Sequence, residues 1–135
     1  MSSATPTSEY VIDTMGLVLR LEQRRLSSTT KALFEAMETG TALIHIPALV
    51  FAEILYLSEK KRISITVRSV ENYLARFPNC REFPLSLGVI QTAAEITDIA
   101  ELHDRLIAAT ARFCNVELIS NDPVIQASAF VRTVW

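Results

Sequence analysis

The chain has 135 residues and a formal net charge of −2. That length fits one domain, and the charge excludes a globally basic surface that would draw in nucleic acid by its overall field. Half the residues are hydrophobic and only 7% are aromatic, so a core of Leu, Ile, Val and Ala is expected.

Met1 to Glu9 is polar and reads as a flexible leader to a single domain over 10–135. It lacks the basic start and apolar segment of a signal peptide, and no uncharged apolar stretch is long enough to span a bilayer. Cys80 and Cys114 stand alone without metal-type spacing. A cytoplasmic protein with two reduced, buried thiols is the expectation. Tyr10 to Asp13 reads as a short buried strand, followed by a helix over Thr14 to Glu22 with Met15, Val18 and Leu19 at helical spacing. Ser27 to Thr30 forms a turn and N-cap for a helix over Lys31 to Thr39, which Gly40 stops. Ala42 to Ile46 is a second strand, and Pro47 opens a helix that runs to about Lys60. Lys60-Lys61-Arg62 makes a basic turn, and Thr66 caps a helix over Val67 to Phe77. Arg81 to Leu85 is a strand weakened by Pro84, and Ser86 starts the next helix. Asp98 with Glu101 resembles a capping box for a helix through Cys114. Val116 to Ser120 is a strand, Asp122-Pro123 opens a short helix, and Val131 to Val134 is a last strand.

Alternating strands and helices imply an α/β domain with a mainly parallel sheet and helices on both faces. Ligands of such sheets bind beyond the carboxyl ends of the strands. Asp13 and Asp122 both sit at that end of their strands, and adjacency of those strands puts the two acids at one sheet edge. Each is also a good helix N-cap, and taken singly the capping role is the stronger explanation. Glu53 is harder to explain that way. Its helical neighbours Leu49, Val50, Tyr56 and Leu57 are apolar or aromatic, so it projects from the face expected to be buried, where an unpaired carboxylate is costly. Asp104 is either an exposed acid paired with an arginine or, because Ala108, Ala109 and Ala111 allow its helix close to the sheet, a fourth acid at the strand ends. Clustered carboxylates repel, and a hard divalent cation is the usual agent that makes them tolerable.

These segments, in this order, resemble the PIN-domain family, and specifically its VapC-type ribonuclease toxins. Tyr10-Val11-Ile12-Asp13-Thr14 is similar to the opening strand with the first acid, and Pro47 to Ile54 to the helix with the second. Leu102 to Ala111 resembles the third-acid helix and is the most specific segment; Leu118 to Pro123 resembles the strand with a hydroxyl residue and the fourth acid. Val131 to Trp135 fits the closing strand. Met15-Gly16 after the first acid departs from the family's usual small or polar residue. The resemblance implies a three-layer fold and a Mg²⁺- or Mn²⁺-dependent endoribonuclease. It further implies a homodimer and a cognate antitoxin. Asp13, Glu53, Asp104 and Asp122 would then be the catalytic and metal-binding set, with Thr14 and Ser120 in support.

Other residues carry blander expectations. His45 is read as a packed, hydrogen-bonded histidine, and His103 as diverging from Asp104 by about a quarter turn. Arg20, Arg24 and Arg25, and likewise Lys60, Lys61 and Arg62, are solvated surface or phosphate contacts, the former slightly favoured. Two other classes remain: a non-catalytic binding domain of the same fold, in which the acids cap helices and pair with cations, and a related metal-dependent DNA nuclease.

Overall fold

The computed structural model describes residues 8–135. The expected flexibility of the polar leader concerns residues that, apart from Ser8 and Glu9, lie outside this range. The strands are β1 (Ser8–Ile12), β2 (Ala42–Pro47), β3 (Cys80–Phe83), β4 (Glu117–Ile119) and β5 (Thr133–Val134). The helices are α1 (Thr14–Leu21), α2 (Ser28–Glu38), α3 (Ala48–Glu59), α4 (Val67–Arg76), α5 (Leu87–Glu95), α6 (Leu102–Cys114) and α7 (Pro123–Gln126). Every expected element is present. β1 begins two residues before the expected start: Ser8 and Glu9 pair with Ala42 and Leu43, because backbone hydrogen bonding at the sheet's entry does not require apolar side chains.

The sheet is parallel throughout, in the order β3-β2-β1-β4-β5. β1 is central, with β2 on one side and β4 on the other, so the strand order reverses direction beside it. Right-handed crossovers place α1–α4 on one face and α5 and α6 on the other. Both faces of β1 are therefore covered, and Val11 and Ile12 have no exposure at all. Phe34 and Met37 of α2 and Val50 and Ile54 of α3 fill one layer. On α6, the fully buried Ala108, Ala109 and Ala111 form a close-packing stripe, and α6 touches both β1 and β4. That contact fixes where the N-terminal end of α6 projects.

The caps explain most element starts. Ser27, Thr66 and Ser86 each accept a hydrogen bond from a first-turn N–H, and Thr66 with Ser69 forms a reciprocal pair. Gly40, at φ 93°, occupies the left-handed region that ends α2. The start of α6 differs from expectation. Glu101, not Asp98, is its N-cap and accepts from the N–H groups of His103 and Asp104. Asp98 instead accepts from the Ser128 hydroxyl and the Ala129 N–H, tying the α5–α6 connection to the loop before β5. The Asp-x-x-Glu spacing suggested a box, but the chain enters the helix three residues later. Cys80 is buried, Cys114 is half-buried, and both are free.

Candidate active site

The reversal of strand order beside β1 opens a crevice at the carboxyl ends of β1 and β4. Asp13 follows β1 directly, and its N–H continues the ladder by donating to the Ile119 carbonyl at 3.2 Å. Its Oδ1 accepts from the Gly16 N–H at 2.8 Å, which makes it the N-cap of α1. Gly16 is needed for this approach. A Cβ there would lie 3.0 Å from Asp13 Oδ1 and 2.6 Å from Ile12 Cδ1. The departure at Met15-Gly16 thus contains a residue that seats the first acid, while Met15 itself stands exposed at the rim.

Asp122 follows β4 and caps α7, with Oδ1 accepting from the Val124 and Ile125 N–H groups. Ser120, fully buried at the end of β4, accepts from the Asp122 N–H through its Oγ at 3.1 Å. Glu53 reaches the crevice from α3, where its Oε1 accepts from the Thr14 hydroxyl. Its surroundings differ from expectation: Tyr56 is 51% exposed, and Leu49 and Leu57 are only half-buried. Of the four expected neighbours only Val50 is core, and Leu57 lines the cavity beside Glu53. Asp104 arrives from the first turn of α6. All four acids, with Thr14, line one cavity of about 460 Å³, together with Met15, Leu57, Asn121, Pro123 and Ile125.

The electrostatics follow from the crowding. Burial raises the Asp13 carboxyl above its ordinary range, and the charges of Asp122 and Glu53 add to this; the Ser120 hydroxyl and the Gly16 N–H oppose it. Asp104 is pushed up to about 6, first by partial burial, then by Asp122, Glu101, Glu53 and Asp13. No arginine or lysine lies within 4 Å of any of the four carboxylates among the described residues. The nearest titratable side-chain nitrogen belongs to His103, whose Nδ1 is 3.8 Å from both Glu53 Oε2 and Glu101 Oε2. His103 does diverge from Asp104, and the divergence turns it toward α3. That contact spans fifty positions and leaves no trace in local sequence. The salt-bridge explanation for Glu53 and Asp104 therefore finds no arginine.

A donor set made only of oxygens suits Mg²⁺ or Mn²⁺. As they stand, no three acidic, histidine or cysteine side chains converge tightly enough to enclose one ion among the described residues. Asp13 and Asp122 each have an oxygen engaged in capping, and Glu53 one engaged by Thr14. The chemistry of the set fits a hard cation, and closure around one requires side-chain rotation. His45 is the packed histidine expected, 2.8 Å from Glu9 Oε1 and edge-on to Phe83.

A parallel α/β sheet with four acids gathered at its switch point defines the class: a doubly wound domain with an acidic crevice. The family model for the PIN domain matches residues 10–131, and the chain belongs to that family. Solved structures agree on the fold. VapBC2 from Rickettsia felis, bound to a promoter DNA fragment, is 18% identical with a TM-score of 0.72, covering 94% of this chain and 98% of that one. DNA-bound VapBC from Salmonella typhimurium is 12% identical, TM-score 0.70, covering 95% and 98%. The sarcin-ricin loop cleaving toxin VapC20 from Mycobacterium tuberculosis is 15% identical, TM-score 0.63, covering 90% and 96%. No curated protein sequence matches the chain.

Proposed function

We propose that this chain is a Mg²⁺- or Mn²⁺-dependent endoribonuclease and the toxin of a toxin–antitoxin pair. The observation that carries the reading is the gathering of Asp13, Glu53, Asp104 and Asp122 in one cavity without an arginine or lysine partner, in a PIN-family chain. Asp13, Asp104 and Asp122 would hold the ion directly or through water, with Glu53 a further ligand or the holder of a water. When bound, a divalent ion supplies water activation and offsets charge developing on the phosphate oxygens.

The chain's own residues do the rest. Thr14 fixes the Glu53 carboxylate by donating to one oxygen, which leaves the other free to orient an attacking water. Ser120 steadies the Asp122 loop. Water attacks phosphorus in line, the P–O3′ bond breaks and the 3′-oxygen leaves and takes up a proton, so the products carry a 5′-phosphate and a 3′-hydroxyl. A strand of RNA, a second copy of the chain and a small antitoxin are the partners of this reading, and the cytoplasm is its compartment. The Rickettsia and Salmonella structures are VapBC complexes, which supports a protein partner here.

The test is cleavage of matched RNA and DNA with Mg²⁺, Mn²⁺ or EDTA, with mapping of product ends and Asp104→Asn as control. RNA-only, metal-dependent cleavage leaving 3′-hydroxyl ends is expected. Equal DNA cleavage replaces the reading with a DNA nuclease. Absence of both cleavage and any Mg²⁺-induced rise in melting temperature favours a non-catalytic binding domain, the reading that the capping duties of Asp13 and Asp122 support. Growth arrest on expression, relieved by the product of an adjacent small reading frame, tests the antitoxin.

A further inference from the structure

A cavity of about 840 Å³ lies apart from the acidic one. It lies among the C-terminal end of α1, the start of α2 and the length of α4, and its lining is basic. Arg20 within it is neutralised, since Nε and Nη2 donate to both Glu38 oxygens at 3.1 and 2.7 Å. Arg24 has only a long contact, 3.4 Å, with Glu22. Arg25, Lys31 and Arg76, from three separate segments, have no carboxylate within 4 Å among the described residues, and all three are exposed. Tyr73 and Phe77 add aromatic surface to the same wall.

The two cavities share helix α1. Met15 in its first turn lines the acidic one, Arg20 and Leu21 in its last turn line the basic one, and on the face that begins at Met15 the next residue, Leu19, is half-buried. The eight residues of α1 span about 12 Å, the rise of about three or four stacked nucleotides. The acidic cavity has no arginine or lysine in its lining, so it offers nothing to hold the flanking phosphates of a nucleic acid. With a net charge of −2, such holding must come from a local patch.

We infer that the cavity bounded by Arg25, Lys31 and Arg76 is an exosite for the phosphate backbone of the RNA strand whose scissile bond lies in the acidic cavity. This rests on the ribonuclease reading. The exposed side of α1 carries the strand between the two sites.

The probe is a fluorescent single-stranded RNA of mixed sequence, bound by the Asp104→Asn protein so that it is not cut, across a range of salt. Adding Arg25→Gln, Lys31→Gln and Arg76→Gln together is expected to weaken binding at least about tenfold. The slope of log affinity against log salt should fall by about 2, at about 0.7 per phosphate contact. In the otherwise native protein, the same substitutions are expected to leave the Mg²⁺-induced melting shift unchanged. Arg25→Gln alone, a drop of about 0.7, serves if the triple variant folds poorly. An unchanged slope, in a protein that still cleaves RNA, overturns the exosite and spares the ribonuclease. No RNA binding by the starting protein overturns both. Loss of poly-glutamate binding with the RNA slope intact makes this an acidic-protein site and overturns the exosite.

Discussion

Asp104 carries the least compensated charge at the acidic edge. Its carboxyl titrates near 6 in the fold against an ordinary 3.8. Above that window it is ionised in folded and unfolded chains alike, and repulsion counts against the fold. As pH falls from about 6 towards 4, the folded chain takes up a proton that the unfolded chain does not, so stability is gained. In EDTA, Asp104→Asn is therefore expected to melt higher than wild type at pH 7, with the difference narrowing below about pH 6 and closing near pH 4. Glu22, Glu38, Asp98 and Glu101, whose carboxyls are held low by their hydrogen-bond partners, push the opposite way in both proteins and cancel in the difference. A gap that stays constant with pH would remove the electrostatic account. Asp122 behaves differently because it is a cap. Asn caps as well as Asp, so Asp122→Asn is expected to keep stability and lose Mg²⁺-dependent cleavage, while Asp122→Ala loses both, at a cost of about 1 kcal/mol by urea denaturation. Sequence made Asp13 and Asp122 legible, because a strand–acid–helix junction fixes both position and direction. Glu53 was legible as an acid in an apolar helix, although the helix side it occupies is wetter than the pattern suggests. The His103 contact was not, since it is made by tertiary packing of α3 and α6 alone.

Among elements, the start of α6 matters most, because it aims Asp104. Glu101→Ala removes the acceptor for two backbone N–H groups and is expected to destabilise the protein by about 1 kcal/mol. It should also speed amide exchange at His103 and Asp104. Asp98→Ala is expected to leave those amides protected and to expose the Ala129 amide instead. Faster exchange at His103 in the Asp98 variant would revive the capping box that the sequence suggested. Element types were readable throughout, since strand patches and cap residues are local signals. Which acid caps α6 was not, because Asp98 is drawn to Ser128 and Ala129, thirty residues away.

At the scale of the molecule, polar cross-ties bind the α1–α4 layer together. Glu38 of α2 accepts from Arg20 of α1 and from the Tyr73 hydroxyl of α4. Glu22, just past α1, accepts from the Ser64 N–H and hydroxyl. Burial and the Glu38 charge push the Tyr73 hydroxyl well above its ordinary range, so it stays protonated and donating. Glu38→Ala strands a part-buried guanidinium and is expected to cost about 1.5–3 kcal/mol. Denaturant midpoints check this, and the Mg²⁺-induced melting shift should survive at any temperature where the variant is folded, because Glu38 does not line the acidic cavity. A lost Mg²⁺ response would mean that the two cavities are mechanically joined. Parallel topology was legible from element alternation. The basic cavity was not, because Arg76 and Lys31 reach Arg25 only once α4 packs beside α2.

The double duty of Asp13 and Asp122 has a consequence for lineages descended from this chain. A descendant relieved of selection for catalysis would still need both aspartates, or asparagine in their place, to begin α1 and α7. Glu53 and Asp104 start no helix, and the Asp104 charge weighs against the fold, so drift would replace them first. An acid at 13 or 122 in such a descendant is a record of architecture, whereas an acid surviving at 53 and 104 is a record of use.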